Sequence, residues 1–135
     1  MIMADLDHFK RINDEFGHPA GDEALRQVAQ LLARGCRESD MPARYGGEEF
    51  VVVAPETTVD AAATFADRLR MSICSRPLQV HGKALDITAS FGVAGHEGLQ
   101  GPEDLVQAAD DALYRAKSAG RNCVKTAEAP TSAAR

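Results

Sequence analysis

The sequence has little of what a disulfide-bonded or membrane-spanning protein would need. Its three cysteines, Cys36, Cys74 and Cys123, are scattered and form no C-x-x-C pair, which argues against a disulfide framework and against a zinc site. No run of about 18 apolar residues is present that could form a membrane span. Residues 1–5 reach a carboxylate too early to be a signal peptide. We therefore expect a cytoplasmic protein that makes no membrane contact.

An excess of positive charge is lacking as well. The chain has 15 Lys and Arg residues against 20 Asp and Glu residues, and its formal net charge is -5. It offers no overall basic field to a nucleic-acid polymer, so any anionic ligand must be held by local cations or by a metal ion. With 44% hydrophobic and 26% charged residues, the 135-residue chain has the composition and size of one ordinary globular domain.

Strand and helix patterns alternate along the chain. Helices are predicted over residues 9–16, from about Asp22 to Gly35, over 59–73 and over 102–116, and Asp7 is a candidate N-cap for the first of them. Strands are predicted over residues 1–5, 41–45, 50–54, 85–93 and 122–125. The second and third strands flank Gly46-Gly47-Glu48-Glu49 and form a β-hairpin. An antiparallel hairpin within such an alternation predicts an α+β fold, with helices on the faces of a sheet.

Three stretches carry a resemblance to a known family. They are residues 5–14 (DLDHFKRIND), 17–22 (GHPAGD) and 44–50 (RYGGEEF), and the similarity continues through residues 89–93 and 109–122. They closely resemble the GGDEF family of diguanylate cyclases, which condense two GTP molecules into cyclic di-GMP and release two pyrophosphates. The resemblance implies a palm-like fold, as in nucleotide cyclases and polymerases, with a central mixed sheet of about five strands and a GGEEF hairpin.

The resemblance also bears on the domain boundaries. We expect one GGDEF domain over residues 1–126 and a flexible tail over residues 127–135, which lack periodicity. Family members usually carry a helical segment with an Asp-x-Leu-Thr-x-Leu-x-Asn-Arg-like stretch before the first strand, whereas this chain begins within that strand. We therefore expect an N-terminally truncated domain whose missing piece would cover one side of the sheet. The sensory or receiver domain that controls it cannot be identified from this sequence.

Metal-dependent chemistry is expected from the carboxylates. To form a 3′-5′ phosphodiester, a hydroxyl must attack the α-phosphorus while pyrophosphate leaves, and Mg²⁺ or Mn²⁺ with oxygen ligands meets the developing charge. The resemblance assigns Asp5, the Leu6 carbonyl and Glu48 to the metal, and the two carboxylates can meet if the first strand pairs beside the hairpin. Glu49 is a further catalytic candidate, although its side chain is expected to point away from that of Glu48. Taken singly, Asp5 could merely end a strand and Glu48 could be a solvated turn residue.

Nucleotide contacts are implied by the same resemblance. Asn13 and Asp22 match the family's guanine-contacting pair, and a carboxylate can accept from both the N1–H and the 2-amino group of guanine. Gly46 and Gly47 would let a nucleotide approach the backbone. The structural alternatives are that Asp22 caps a helix and that cations near a helix end complement its dipole. The remaining substrate-binding positions that the resemblance implies are Phe9, Lys10, Lys117 and Arg121.

A second ligand site is implied by the pattern Arg37-x-x-Asp40, which lies shortly before the hairpin. This pattern resembles the inhibitory product site of the family, and Arg68 resembles the second arginine of that site. By itself, such a pair is usually a surface ion pair worth under about 1 kcal/mol. The resemblance further implies that cyclic di-GMP inhibits the enzyme and that catalysis takes place between two facing copies of the domain.

Two other functions remain open at this point. A non-catalytic GGDEF-like domain that only binds GTP or cyclic di-GMP would generally have lost the acidic residues of the hairpin, which are intact here. A related cyclase that makes a mixed GMP-AMP product is disfavoured by Asp22, since a carboxylate at that position favours guanine.

Overall fold

The computed structural model describes residues 1–128, so most of the predicted tail, residues 129–135, lies outside the described range. Within that range the helices are α1 (Phe9–Phe16), α2 (His18–Gly35), α3 (Val59–Cys74) and α4 (Pro102–Ser118). The strands are β1 (Ile2–Leu6), β2 (Met41–Arg44), β3 (Glu49–Val53), β4 (Leu78–Val80), β5 (Lys83–Leu85), β6 (Ala89–Val93) and β7 (Val124–Thr126). None of these helices combines the length with the hydrophobicity needed to span a bilayer.

Five strands form one mixed sheet in the order β2-β3-β1-β6-β7, and β4 and β5 form a separate hairpin. The central strand β1 is buried along its whole length and pairs antiparallel with β3 on one side and with β6 on the other. The edge strand β7 runs parallel to β6. This arrangement confirms the predicted α+β fold with a central sheet of five strands and a hairpin formed by β2 and β3.

The alternation of side chains along β1 supplies both faces of the sheet with core residues. Ile2, Ala4 and Leu6 join a large cluster with α2 and α3, whereas Met3 on the opposite face packs against Ala109 and Leu113 of α4. Helices therefore cover both faces of the sheet, and β1 lies between them.

The edge of the sheet at β2 is more open. All four residues of β2 are exposed, and the side chain of Met41 is 58% exposed. Met41 and Ala43 pair with Val53 and Val51 of β3, which are only partly buried. An apolar strip of the sheet is thus accessible beside the region that α4 covers.

The strand predicted over residues 85–93 is wrong in its first part. Residues 83–85 pair with residues 78–80 in the β4–β5 hairpin, and β6 begins only at Ala89. The turn between β4 and β5 has positive φ at His81 (48°) and Gly82 (81°), which suits a tight hairpin. Residues 86–88 then connect that hairpin to the main sheet. The alternation of apolar and polar residues continues through this connection, although the strand pairing does not, which is why the sequence predicted one strand.

Two helix starts also differ from the prediction. Helix α2 begins at His18 rather than near Asp22, with Pro19 in its first turn, so Asp22 does not cap it. Helix α1 has His8 as its N-cap residue, in a left-handed conformation and without a side-chain cap. The prediction that Asp7 caps α1 is therefore wrong, because its carboxylate bonds instead to groups on β6 and on the turn after α4.

The packing of α4 on the sheet generates a first testable prediction. A Cβ added at Gly92 of β6 would lie 2.3 Å from both the Ala109 carbonyl oxygen and the Leu113 nitrogen. Because both are backbone atoms, side-chain rotation cannot relieve the clash and α4 must shift. We expect Gly92→Ala to lower the free energy of unfolding by about 1–3 kcal/mol or more, measured by urea denaturation.

The matched control for this experiment is Gly47→Ala in the β2–β3 hairpin. A Cβ at that position meets nothing within 4 Å, so its stability should remain close to that of the wild type. Equal unfolding free energies for the Gly92→Ala and Gly47→Ala variants would contradict the close approach of α4 to β6.

Candidate active site

Three carboxylates gather where β1 ends and β3 begins. Asp5 and Glu49 are direct cross-strand partners, and the Leu6 nitrogen donates to the Glu48 carbonyl oxygen at 3.3 Å. The pairing of the first strand beside the hairpin, on which the predicted meeting of Asp5 and Glu48 depended, is therefore present. Cross-strand partners share one face of a sheet, so Glu49, expected to point away from Glu48, lies on the same side as Asp5.

This concentration of negative charge changes the acidity of both glutamates. Burial raises the pKa of Glu48, and the neighbouring Asp5 raises it further, while Lys117 lowers it in part. Burial likewise raises the pKa of Glu49, followed by the charges of Asp5 and Asp110, with Lys117 again acting in the opposite direction. The site therefore holds more negative charge than its own cations neutralise.

Lys117, near the end of α4, forms an ion pair with this cluster. Its Nζ donates to Asp5 Oδ2. The Asp5 side chain is only 8% exposed, against 36% for Lys117. The other carboxylate oxygen, Asp5 Oδ1, is buried and has no hydrogen-bond partner among the described residues. An unpartnered buried oxygen is unfavourable, and it leaves lone pairs available to a further ligand.

The donor set at this position fits a hard divalent cation, which prefers carboxylate and carbonyl oxygens. Within residues 1–128, no three His, Cys, Asp or Glu side chains are grouped closely enough to hold a metal ion by themselves. The predicted set of Asp5, Glu48 and the Leu6 carbonyl contains two carboxylates and a backbone oxygen, so it does not need a third acidic side chain. A bound metal would have to complete its coordination with oxygens from a ligand or from water.

A cavity of about 440 Å³ opens between α2 and the β2–β3 hairpin. Its lining is mainly apolar and includes Leu25, Leu32 and Phe50, while Asp22 and Arg44 contribute polar groups. Apolar walls with a few polar groups are typical of a site for a flat, heterocyclic ligand. The predicted base-contacting residue Asp22 therefore lines this cavity next to the hairpin.

Other predicted substrate positions lie near Asp22 or on exposed surfaces. A Cβ on Gly21 would be 1.9 Å from Asn13 Oδ1 and 3.1 Å from Phe9 Cζ, so the missing side chain makes room for Asn13 and Phe9 against the start of α2. This contact places Asn13 and Phe9 beside Asp22. Two predicted phosphate-binding residues, Lys10 on α1 and Arg121 in the turn after α4, are exposed.

The hairpin itself is held by Arg44, a residue to which the sequence analysis assigned no role. Its Nε donates to the Gly46 carbonyl at 3.1 Å and its Nη2 donates to the Gly47 carbonyl. The nitrogens of Tyr45 and Gly46 both donate to the Glu49 carbonyl, at 2.9 and 3.3 Å. An arginine two residues before a Gly-Gly turn was the available signal, since turn carbonyls need donors.

Two of the three residues of the predicted inhibitory site, Arg37 and Asp40, form a compact unit in the connection between α2 and β2. Arg37 bonds Asp40 through Nη2 to Oδ1 at 2.9 Å, and its own backbone nitrogen donates to Asp40 Oδ2 at 2.8 Å. Hydrogen bonding from the Arg37 side chain lowers the pKa of Asp40. Arg37 also donates to Thr57 Oγ1 at 2.8 Å. The guanidinium of Arg68 lies separately on α3, 5.3 Å from the centre of the Phe65 ring.

Comparison with known proteins places these features in a family. Residues 1–123 match the model of the family described as "Diguanylate cyclase, GGDEF domain". The chain is 46% identical to Diguanylate cyclase DgcP of Pseudomonas aeruginosa over 127 residues, covering 94% of this chain and 19% of that protein. It is 47% identical to Response regulator PleD of Caulobacter vibrioides over 126 residues, covering 91% of this chain and 28% of that protein.

A solved structure gives the same result for the fold. The GGDEF domain of DgcB from Caulobacter crescentus, in complex with c-di-GMP, superposes with a TM-score of 0.88 at 37% sequence identity. The match covers 95% of this chain and 77% of that one. The chain thus matches about three quarters of the solved chain, but it spans less than a third of the two curated relatives.

The acidic cluster generates a prediction about pH. Because the folded-state pKa of Glu49 is raised, the stability of the wild type should fall as pH rises through that pKa, when the charged form must be accommodated. We expect Glu49→Gln to raise the unfolding free energy by about 0.2–1 kcal/mol at pH 7, the scale of a cross-strand pair. The gain should vanish below about pH 4, where Glu49 is protonated in both folded and unfolded chains.

Urea denaturation from about pH 3 to 8 without divalent cations would measure this difference, including its loss at the acidic end. The exposed residue Glu97 supplies the control, because Glu97→Gln should change stability little at any of these pH values. A Glu49→Gln variant no more stable than the wild type at pH 7 would show that burial and the neighbouring carboxylates do not disfavour the charged form of Glu49 as described.

Proposed function

Because this chain belongs to the family of GGDEF domains of diguanylate cyclases, we propose that it condenses two GTP molecules into cyclic di-GMP with release of two pyrophosphates. The observation that carries the proposal is the approach of Asp5, Glu48 and Glu49 to one another at the end of β1, in a domain whose cavity between α2 and the hairpin is lined by Asp22. A relative named as a diguanylate cyclase, and a related GGDEF domain solved with c-di-GMP, support the same reaction.

Asp5, Glu48 and the Leu6 carbonyl would hold Mg²⁺ or Mn²⁺. The buried, unpartnered Oδ1 of Asp5 and the surplus of negative charge around it support this assignment. When bound, the metal would supply positive charge to the phosphate oxygens and favour ionisation of the attacking hydroxyl. Glu49, with its raised pKa, is a stronger proton acceptor than an ordinary carboxylate, which suits it to take the proton of the attacking 3′-hydroxyl.

Guanine selectivity would come from the cavity between α2 and the hairpin. Leu25 and Phe50 offer apolar contacts to the faces and edges of a purine, and Asp22 would accept from guanine N1–H and the 2-amino group. Adenine carries an acceptor at N1 and would leave this carboxylate without its donors, which disfavours ATP. Asn13, held beside Asp22 by the absence of a side chain at Gly21, would add a further polar contact to the base.

The triphosphate would be bound by Lys10, Lys117 and Arg121. Lys117 is paired with Asp5, so its ammonium group lies next to the proposed metal ligands, where it could also bond phosphate oxygens. Gly46 and Gly47 leave the hairpin backbone open, and nothing lies within 4 Å of the position that a Cβ of Gly47 would take. A nucleotide can therefore approach the backbone at Gly47 on the side where a Cβ would project.

Catalysis requires a second copy of the domain. One site of this size accommodates one GTP, whereas each cyclic product contains two guanosine units joined by two phosphodiester bonds. Two domains must therefore face each other with their hairpins opposed, so that each 3′-hydroxyl reaches the α-phosphorus of the other nucleotide. The rate per molecule should then depend on how often two copies meet.

The experiment that tests this function is incubation of the purified chain with GTP and Mg²⁺, followed by chromatography of the products. We expect cyclic di-GMP, with a specific activity that rises with protein concentration. Glu48→Gln and Asp5→Asn should each reduce turnover more than tenfold, a cost above about 1.4 kcal/mol in the transition state. Glu97→Gln, outside the site, should retain wild-type activity.

More than about a tenth of wild-type turnover in either carboxylate variant at saturating Mg²⁺ would contradict the metal assignment. GTP binding without any product, in the wild type and at high protein concentration, would favour the alternative of a non-catalytic GTP-binding or cyclic di-GMP-binding domain.

Feedback inhibition by cyclic di-GMP is proposed for Arg37, Asp40 and Arg68. The side chain of Asp40 is fully buried, whereas that of Arg37 is 55% exposed, so the carboxylate fixes a guanidinium that remains accessible to a ligand. A planar guanidinium can bond a guanine edge or a phosphate in pairs and can stack on a purine. Product bound there would inhibit by favouring an arrangement in which two active sites cannot meet.

The test is a series of initial rates at several cyclic di-GMP concentrations. We expect noncompetitive inhibition with respect to GTP, and Arg37→Ala should weaken product binding by about 1.5–3 kcal/mol with little change in the uninhibited rate. Arg37→Lys keeps a positive charge beside Asp40 but loses the paired geometry, so it should also weaken inhibition. Inhibition that rising GTP fully overcomes would place the product in the active site instead.

A further inference from the structure

Asp7 is a buried carboxylate that the proposed chemistry does not use. It follows directly after β1, is 6% exposed, and accepts three hydrogen bonds. Thr88 Oγ1 donates to Oδ2 at 2.6 Å, Ser90 Oγ donates to Oδ1 at 2.6 Å, and the backbone nitrogen of Asn122 donates to Oδ2 at 3.0 Å. Asp7 therefore ties the end of the central strand both to β6 and to the turn between α4 and β7.

That turn has an unusual backbone. Gly120, Arg121 and Asn122 have φ angles of 111°, 64° and 45° in succession. Residues with side chains are disfavoured in this region, so Arg121 and Asn122 need support from their surroundings. Asn122 is held from two sides, because Asp7 binds its backbone nitrogen and Arg70 Nη1 donates to its side-chain oxygen at 3.0 Å.

The position of this turn connects it to the active site. Asp5 and Asp7 lie at the same end of β1, and Asp5 binds Lys117 on the last turns of α4 while Asp7 binds Asn122 just beyond. Arg121 is exposed and sits between these two anchored positions. The backbone of Arg121 thus belongs to a strained turn that a buried carboxylate holds at the next residue.

We propose that Asp7 is a positioning residue that holds the turn of residues 120–122 so that Arg121 faces the triphosphate of the bound nucleotide. The inference rests on the phosphate-binding role proposed above for Arg121. Asp7 acts through the geometry of its bond to the Asn122 nitrogen and does not itself touch the nucleotide.

This mechanism makes the effect of substitutions depend on shape more than on charge. In Asp7→Asn the amide oxygen can still accept from the Asn122 nitrogen, and the amide nitrogen can donate to Ser90 Oγ, whose hydroxyl rotates. In Asp7→Glu the charge is retained, but the longer side chain displaces the Asn122 nitrogen from its position. In Asp7→Ala the acceptor is lost altogether.

The experiment compares the binding of two ligands by calorimetry in the same buffer with Mg²⁺. One ligand is the α,β-methylene analogue of GTP, which cannot release pyrophosphate, and the other is GMP, which lacks the outer phosphates. We expect Asp7→Ala, Asp7→Glu and Arg121→Ala each to weaken binding of the triphosphate analogue by about tenfold and that of GMP by less than about twofold. Asp7→Asn should bind both ligands nearly as the wild type does.

The double variant Asp7→Ala/Arg121→Ala should bind the triphosphate analogue no more weakly than either single variant, because both changes remove the same contact. Thermal unfolding would show whether Asp7→Ala folds. If it does not, Asp7→Glu is compared with the wild type for binding of the two ligands instead. Equal losses for GMP and the triphosphate analogue would indicate a general structural role and overturn the inference.

Two further outcomes separate this inference from the function on which it rests. Suppose that Arg121→Ala weakens binding of the triphosphate analogue, whereas the folded Asp7→Ala and Asp7→Glu variants bind it as the wild type does. That result would overturn the role of Asp7 but keep the phosphate-binding role of Arg121. No loss in Arg121→Ala would remove Arg121 from phosphate binding and overturn the inference with it. If Asp7→Asn binds the triphosphate analogue as weakly as Asp7→Ala does, the negative charge of Asp7 matters rather than the geometry of its hydrogen bond. That result would contradict the proposed mechanism.

Discussion

The burial of Asp5 at the end of the central strand is the constraint on which the rest of the site depends. A carboxylate that is only 8% exposed requires a countercharge, and Lys117 supplies it from α4, far along the chain. Helix α4 can reach this position because Gly92 lets its backbone approach β6 directly. The ion pair thus links the strand that carries the acidic residues to the helix that carries a proposed phosphate-binding cation.

The two carboxylates at this end of β1 have different consequences. Asp5 lies in a field of like charge from Glu48 and Glu49, which Lys117 offsets only in part, so the region is suited to an additional cation. Both carboxylate oxygens of Asp7 accept hydrogen bonds from neutral donors, and these bonds hold the surrounding backbone in position. The end of β1 therefore carries two carboxylates with different uses. Asp5 has an oxygen available to a ligand, and Asp7 holds the backbone rigid.

The proposed catalytic and inhibitory surfaces are built by different parts of the chain. The acidic cluster depends on the pairing of β1 with β3, whereas Arg37 and Asp40 form their unit within the connection between α2 and β2. Arg37 also contacts Thr57, just before α3, the helix on which Arg68 lies.

Local sequence patterns were sufficient for much of this protein. The periodic apolar residues located α1, α3 and α4, because helix burial repeats with the period of the helix itself, and the Gly-Gly turn located the β2–β3 hairpin. Asp5, Glu48 and Asp22 were named as candidates through the resemblance of their motifs to the GGDEF family, and their roles stay predictions.

Tertiary structure decided the points at which distant segments meet. Alternation over residues 85–93 could not show that strand pairing breaks before Ala89, because a strand is defined by its partner as well as by its own pattern. Asp7 looked like a helix cap because a cap is the nearest local use for an aspartate, yet its partners Ser90 and Asn122 are brought to it only by the sheet. Hydrogen bonds and ion pairs between positions this far apart leave no periodic trace in the sequence, since they depend on strand order and helix packing rather than on neighbouring residues.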